Sequence, residues 1–248
     1  GAFLVGERDG GLQRFDATTG EALESLASKL GRAVGLRYSP DGRLLAAASE
    51  RGPVALWETT TGEISHMLPL TATYLPMGLA FSPDGRTLAT GPTAANPLTL
   101  WDVASGEALR TVPTLALSAL DSDNSLAFSC DGDRLLVADQ DQATRIYSLT
   151  PTRRLRTLTG HGGAVWDAAL SPNGRFLLTG SEDGSMRLWD WQTGQAEQRF
   201  PGTPDRVFGV AYSPTGETVA AVGTNSAGTD GAAHIYLSGG APQRTLTG

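Results

Sequence analysis

The sequence has one cysteine, one lysine and no long apolar run. The single cysteine, Cys130, excludes a disulfide within the chain and leaves the redox compartment open, although a reducing compartment is compatible. No apolar run approaches the roughly 18 residues that a membrane-spanning helix needs. We expect a cytoplasmic protein.

Positive charge is also scarce, because 19 Lys and Arg residues face 26 Asp and Glu residues and the formal net charge is −7. Binding to a nucleic-acid backbone or to an anionic membrane surface needs clustered positive charge. The small basic group of Arg153, Arg154 and Arg156 is interpreted as solvated protection of an outer strand. The composition therefore predicts neither nucleic acid nor membrane as a partner.

What the chain does contain is a repeat. The segment Ser-Pro-Asp-Gly begins at Ser39 and recurs, with substitutions, at intervals of 42 to 47 residues, starting at Ser82, Ser129, Ser171 and Ser213. Within one repeat, residues 164–170 and 176–180 are apolar, 185–189 alternate apolar and polar side chains, and 196–200 are more polar. Turn-forming residues separate these runs, so four short antiparallel strands per repeat are predicted.

One aromatic position marks the third strand of each repeat, and six copies are visible: Phe15, Trp57, Trp101, Tyr147, Trp189 and Tyr236. The fifth repeat also contains Gly160-His161, a Ser-Pro-Asn-Gly turn at Ser171, and Trp189-Asp190. In this order and spacing it resembles the Trp-Asp (WD) repeat family of β-propellers, in the form of bacterial-type arrays. The resemblance covers essentially the whole chain and implies an all-β fold of four-stranded antiparallel blades stacked around a ring.

The resemblance predicts one β-propeller domain over residues 1–248 with six visible blades. Their approximate bounds are 1–28, 29–70, 71–113, 114–159, 160–201 and 202–248. Val5 aligns with Thr179 and Gly248 with Gly160, so the first blade lacks its innermost strand in this register. We therefore expect a fragment of a longer chain whose ring has six or seven blades.

In the fifth blade the resemblance implies a structural hydrogen-bond relay of His161, Thr179, Asp183 and Trp189. The first three are also residue types of a hydrolase triad, but catalysis needs an exposed nucleophile beside an oxyanion site. The spacing fits the relay, so no catalytic residue is predicted. The three histidines lie in different repeats without paired cysteines, so neither a metal nor a cofactor is expected.

The family most often binds peptides or partner domains on the narrow face of the propeller, around the start of each first strand and the second hairpin turn. The matching residues form what we call the narrow-face set: Tyr74, Met77, Trp166, Glu182, Arg206 and Phe208, with Arg8 and Arg51 nearby. Large aromatic side chains ringed by charge suit an interface. Alternatively, Trp166 and Phe208 pack inside the strand layer.

These features predict a noncatalytic interaction or sensing module of a larger bacterial signalling protein, by analogy with the family. Its partners would be a protein or peptide ligand, or other domains of the same polypeptide. One alternative is a structural scaffold subunit of a multiprotein assembly. Another is a propeller-shaped enzyme, which would need several carboxylates or histidines converging on the channel.

Overall fold

The computed structural model describes residues 2–6, 12–16, 18–26, 33–49, 53–70, 78–91, 97–113, 126–138, 141–200, 205–225 and 231–247. Within these ranges every regular element is a β-strand, so no helix there could cross a membrane. The chain divides into two compact units, Gly1–Ser122 and Asp123–Gly248.

The first unit contains three antiparallel sheets. Sheet 1 consists of β1 (Ala2–Gly6), β2 (Leu12–Asp16) and β3 (Ala22–Leu26). Sheet 2 consists of β4 (Ala33–Tyr38), β5 (Leu44–Ser49), β6 (Val54–Glu58) and β7 (Ile64–Leu68). Sheet 3 consists of β8 (Leu79–Phe81), β9 (Thr87–Thr90), β10 (Leu98–Asp102) and β11 (Ala108–Val112).

The second unit contains three four-stranded sheets. Sheet 4 consists of β12 (Leu126–Phe128), β13 (Arg134–Ala138), β14 (Ala143–Leu149) and β15 (Thr152–Thr159). Sheet 5 consists of β16 (Val165–Leu170), β17 (Phe176–Ser181), β18 (Met186–Asp190) and β19 (Gln195–Phe200). Sheet 6 consists of β20 (Arg206–Tyr212), β21 (Thr218–Thr224), β22 (Gly231–Leu237) and β23 (Pro242–Thr247).

In each sheet, strands that follow one another in the chain are neighbours, which is the meander of a propeller blade. The predicted all-β propeller class with four-stranded antiparallel blades is therefore confirmed. Over the described residues sheet 1 has three strands, in line with the first blade of the predicted register. The single domain over 1–248 and its blade bounds stay predictions.

The repeated Ser-Pro-Asp-Gly segment closes the first hairpin of a sheet, and hydrogen bonds within the turn itself stabilise it. Ser39 Oγ donates to Asp41 Oδ1 at 2.7 Å and accepts the Leu44 amide at 2.9 Å. Gly42 has a φ of 71°, a left-handed conformation that glycine adopts without a steric penalty. Ser39, Asp41 and Gly42 thus each have a role in reversing the chain.

The core lies between consecutive sheets of each unit, and the repeated aromatic residue of the third strand is part of it. In the first unit Trp101 is 4% exposed. In the second unit Trp189 belongs to the same cluster as Ile146 of sheet 4, and the Tyr236 ring lies 5.5 Å from that of Phe200 in sheet 5. One sheet cannot bury both of its faces, so Trp189 and Tyr236 stabilise the contact of their sheets with the preceding sheet.

Candidate protein-binding surface

A hydrogen-bonded chain of side chains crosses sheet 5. Trp189 Nε1 donates to Thr179 Oγ1 at 2.8 Å, and the same oxygen lies 2.7 Å from His161 Nε2. On the other side of the ring, His161 Nδ1 lies 3.2 Å from Asp183 Oδ2. A carboxylate only accepts, so Nδ1–H donates to Asp183, and Nε2 accepts from the Thr179 hydroxyl. The structure thus brings together all four residues of the predicted relay.

The sequence reasoning missed a fifth member of this relay, Ser185. Asp183 accepts hydrogen bonds from Ser185 Oγ at 2.6 Å, from the Ser185 amide at 2.9 Å and from the Gly162 amide at 2.7 Å. The signal was present, because a Ser directly after an Asp-Gly pair lies within reach of the Asp carboxylate. Asp183 therefore ties together the segment before β16 and the turn between β17 and β18.

The environment of the relay sets the charge of both titratable members. Burial lowers the pKa of His161, and this effect outweighs the opposite influence of Asp183. Burial alone would raise the pKa of Asp183, but hydrogen bonds from Ser185 and Gly162 hold it well below its usual value. His161 is only 7% exposed, so we assign a neutral ring beside an ionised carboxylate.

This assignment predicts that mild acid destabilises the fold. As the pH falls below about 6.5, the unfolded chain protonates His161 while the folded chain resists, so the unfolded state binds more protons and stability falls. We expect a loss of up to about 1.4 kcal/mol per pH unit from this group. Urea unfolding at about pH 7.5 and about pH 5.5 measures it, and His161→Gln should flatten the dependence. An equal slope in that variant would refute the assignment.

Other sheets retain parts of the relay. In sheet 3, Trp101 Nε1 donates to Thr90 Oγ1 at 3.0 Å. In sheet 4, Asp141 pairs with the guanidinium of the buried Arg145, whose Nη1 donates to Asp141 Oδ1 at 2.9 Å. In sheet 4 the aspartate of the second hairpin turn, Asp141, is therefore paired with an arginine instead of a histidine.

Two members of the narrow-face set contact each other across sheets 5 and 6. Trp166 of β16 and Phe208 of β20 form an edge-to-face pair with ring centres 5.6 Å apart and an interplanar angle of 76°. Each lies where the strand register shifts, between Val165 and Asp167 and between Val207 and Gly209. Such bulges redirect the side chain relative to the regular pleat. Phe208 is 41% exposed and Trp166 is half-buried, so the pair is only partly inside the strand layer.

A charged pair connects the same two sheets. Arg206 Nη2 lies 3.8 Å from Glu182 Oε1, and both side chains are substantially exposed. Exposed pairs contribute little to stability, so these charges remain available to a partner. The structure thus joins four members of the narrow-face set in two cross-sheet pairs. The other four, Tyr74, Met77, Arg8 and Arg51, lie outside the described residues.

Asp167, next to Trp166, was not predicted and fixes the spacing of the two sheets. Its Oδ2 accepts the Val210 amide of β20 at 2.9 Å, and its Oδ1 accepts the Ala168 amide at 2.8 Å. Gly180 permits the close approach, because a Cβ there would lie 2.6 Å from Val207 Cγ1. These contacts hold Trp166 and Phe208 in register with each other.

The described residues contain no group of His, Cys, Asp and Glu side chains that could bind a metal ion. His161 is engaged in the relay, and His234 Nδ1 lies 3.2 Å from Thr245 Oγ1. The candidate partner-binding site described above is the exposed surface with the Trp166–Phe208 and Arg206–Glu182 pairs.

Comparison with known proteins finds a family match for one segment of the chain. Residues 152–190 match the family described as WD40: WD domain, G-beta repeat. Eukaryotic translation initiation factor 3 subunit I of Emericella nidulans is 38% identical over 99 residues, which cover 40% of this chain and 29% of that protein. Striatin-4 of Mus musculus is 24% identical over 210 residues, covering 82% of this chain and 27% of its own length.

Autophagy-related protein 16 of Arabidopsis thaliana is 24% identical over 195 residues, covering 78% of this chain and 37% of its own length. The chain thus matches well under half the length of each of these relatives. They come from a fungus, a mouse and a plant, so they do not support the expected bacterial type of array. The repeated sheets and the matched segment agree: the chain has a β-propeller fold, and its residues 152–190 match a WD40 repeat.

Proposed function

We propose that this chain is a noncatalytic scaffold that holds protein partners in a multiprotein assembly. The observation that carries the proposal is the Trp166–Phe208 pair with the Arg206–Glu182 pair beside it. Binding hot spots combine aromatic and Arg side chains at the centre of an interface. Because Asp167 fixes the two strands, a partner would meet a rigid surface with little ordering cost.

The relatives favour a scaffold over a sensing module of a bacterial signalling protein. The fungal relative is by its name one subunit of a larger initiation factor. A comparable place in an assembly fits this chain, although its relatives extend well beyond the part it matches. The partner would be a protein or peptide, or another domain of the same polypeptide.

The buried relay supports a noncatalytic role. Thr179 is fully buried and its oxygen already contacts both His161 and Trp189. A nucleophile in that position cannot meet a substrate. The net charge of −7 argues against nucleic acid and anionic membranes as partners, and a cytoplasmic location remains our expectation.

The test is affinity capture from an extract of the source cells, using the immobilised 248-residue chain and quantitative mass spectrometry. Partners of the wild type should be depleted about tenfold or more with the double variant Trp166→Ala, Phe208→Ala. The affinity of each depleted partner is then measured with purified proteins.

Leu109→Ala is the matched control, because Leu109 is 56% exposed on the outer strand β11. It removes exposed apolar surface elsewhere and should leave capture unchanged. Equal capture by a folded double variant would refute this surface as the binding site.

A further inference from the structure

A groove of about 460 Å³ opens in the second unit and involves sheets 4 and 5. It shares no residue with the narrow-face set. Three arginines and an apolar group line it: Arg134, Arg153, Arg156, Ile146, Leu155 and Trp191. We call it the arginine groove.

Two of the arginines are held in place by the protein itself. The guanidinium carbon of Arg134 lies 5.2 Å from the centre of the Trp191 ring, a cation–π contact. Arg134 Nη1 also lies 3.4 Å from the exposed Asp131 carboxylate. Arg156 Nη1 donates to the Thr193 carbonyl at 2.7 Å. Each fixed guanidinium keeps further N–H donors for a ligand.

The other repeats of the chain serve as an internal comparison for Arg153. In sheets 1, 2 and 3, the residue that closes the third hairpin is glutamate: the Asp16, Glu58 and Asp102 amides donate to the carbonyls of Glu21, Glu63 and Glu107. In sheet 4, Ser148 pairs with Arg153 at this place. Sheets 5 and 6 have the uncharged Gln195 and Ala241 at this place, so the fourth repeat carries a positive charge where the first three carry a negative one.

Arg134 and Trp191 are equally unusual. Five residues after the Ser of each Ser-Pro-Asp-Gly turn, the other repeats have an uncharged side chain where the fourth has Arg134: Leu44, Thr87, Phe176 and Thr218. Two residues after the third-strand aromatic, they have a smaller side chain where the fifth has Trp191: Thr59, Val103, Leu149 and Ser238. Arg153, Arg134 and Trp191 thus each differ from the residues of the other repeats, and all three line the same groove. If the arginines only protected a strand edge, there would be no reason for the three differences to lie together.

We infer that the arginine groove binds an acidic peptide segment that also carries apolar side chains. Arginine forks match carboxylates in geometry, and this local positive charge contrasts with a chain of net charge −7. Leu155 is 39% exposed and lines the groove together with the buried Trp191. These two residues would contact an apolar side chain of the peptide, which stands between its acidic side chains. β15 is the last strand of its sheet, so an extended peptide can lie along its edge. A single phosphate group would not use this apolar surface.

The test is fluorescence anisotropy with the 248-residue chain and a short fluorescein-labelled peptide in which Glu alternates with Leu. The same peptide with Gln in place of Glu should bind about tenfold more weakly. Arg153→Glu, which introduces the residue of the first three repeats, and Arg134→Leu should each weaken binding of the Glu peptide about tenfold. Two variants at separate positions guard against a folding defect in one of them, and circular dichroism checks both.

Arg110→Glu is the matched control, because it reverses an exposed charge at the position on β11 that corresponds to Arg156 on β15. It should change the affinity less than twofold, and so should Trp166→Ala with Phe208→Ala, which separates this site from the proposed scaffold surface. Equal binding of the Gln peptide, or an equal loss in Arg110→Glu, would overturn the inference. Displacement of the peptide by inorganic phosphate, where sodium chloride of the same ionic strength leaves it bound, would assign the groove to a phosphoryl ligand instead.

Discussion

Asp183→Ala is expected to lower the free energy of unfolding by about 3 kcal/mol. The carboxylate accepts hydrogen bonds from the Gly162 amide, the Ser185 amide and the Ser185 hydroxyl, and it lies beside His161. Alanine removes the acceptor and leaves partly buried donors without a partner, so the full desolvation penalty appears. Urea unfolding followed by tryptophan fluorescence measures the loss, because Trp189 belongs to the same relay.

Asp183→Asn is the informative control. The amide oxygen of asparagine can still accept one or two of these hydrogen bonds, but the substitution removes the negative charge beside His161. Its loss should be smaller than that of the alanine variant. If the alanine variant unfolded at the wild-type urea concentration, Asp183 would have no part in holding the segment before β16 to the second hairpin turn.

The second large effect is expected for Thr179→Val, at about 2 kcal/mol. Valine has nearly the same shape, so the core packing is kept, but Trp189 Nε1 and His161 Nε2 both lose their hydrogen-bond partner in a fully buried place. A third-strand tryptophan with an unpaired indole N–H should show an altered fluorescence spectrum in the folded state. The unfolding free energy and that spectrum are the two measurements.

Thr90→Val in sheet 3 is the matched comparison within the same chain. Thr90 is also fully buried and accepts from Trp101 Nε1 at 3.0 Å, but sheet 3 has no histidine in the corresponding contact among the described residues. One hydrogen bond is lost there, so the expected cost is about 1 kcal/mol. Equal costs at the two positions would show that His161 contributes nothing through Thr179.

Much of this architecture is readable from the repeat. The aromatic position of the third strand, the Ser-Pro-Asp-Gly turn and the spacing of His161 from Asp183 all predict sheets of four strands and the relay that the structure contains. They are readable because each depends on contacts within one repeat, where sequence distance and spatial distance agree. Ser185 belongs to the same class, because it contacts Asp183 only two residues earlier in the chain.

Other features depend on contacts between repeats and could not be derived in this way. Asp167 accepts an amide 43 residues further along the chain, and no local pattern distinguishes it from a solvated aspartate. Arg153 and Arg156 read as simple edge charges until Trp191 and Arg134 are placed beside them. The pairing of Trp166 with Phe208 likewise needs two bulges on neighbouring sheets.

By itself, the sequence determined the strands, the turns and the number of repeats, because alternation, glycine positions and recurrence are local properties of the chain. Only the tertiary structure decided which side chains from different sheets meet, which of them stay exposed, and where arginines cluster in a chain whose net charge is negative. The physical reason is that the proposed binding surfaces lie between sheets, and the distance between two sheets is set by packing and by single cross-sheet hydrogen bonds such as that of Asp167.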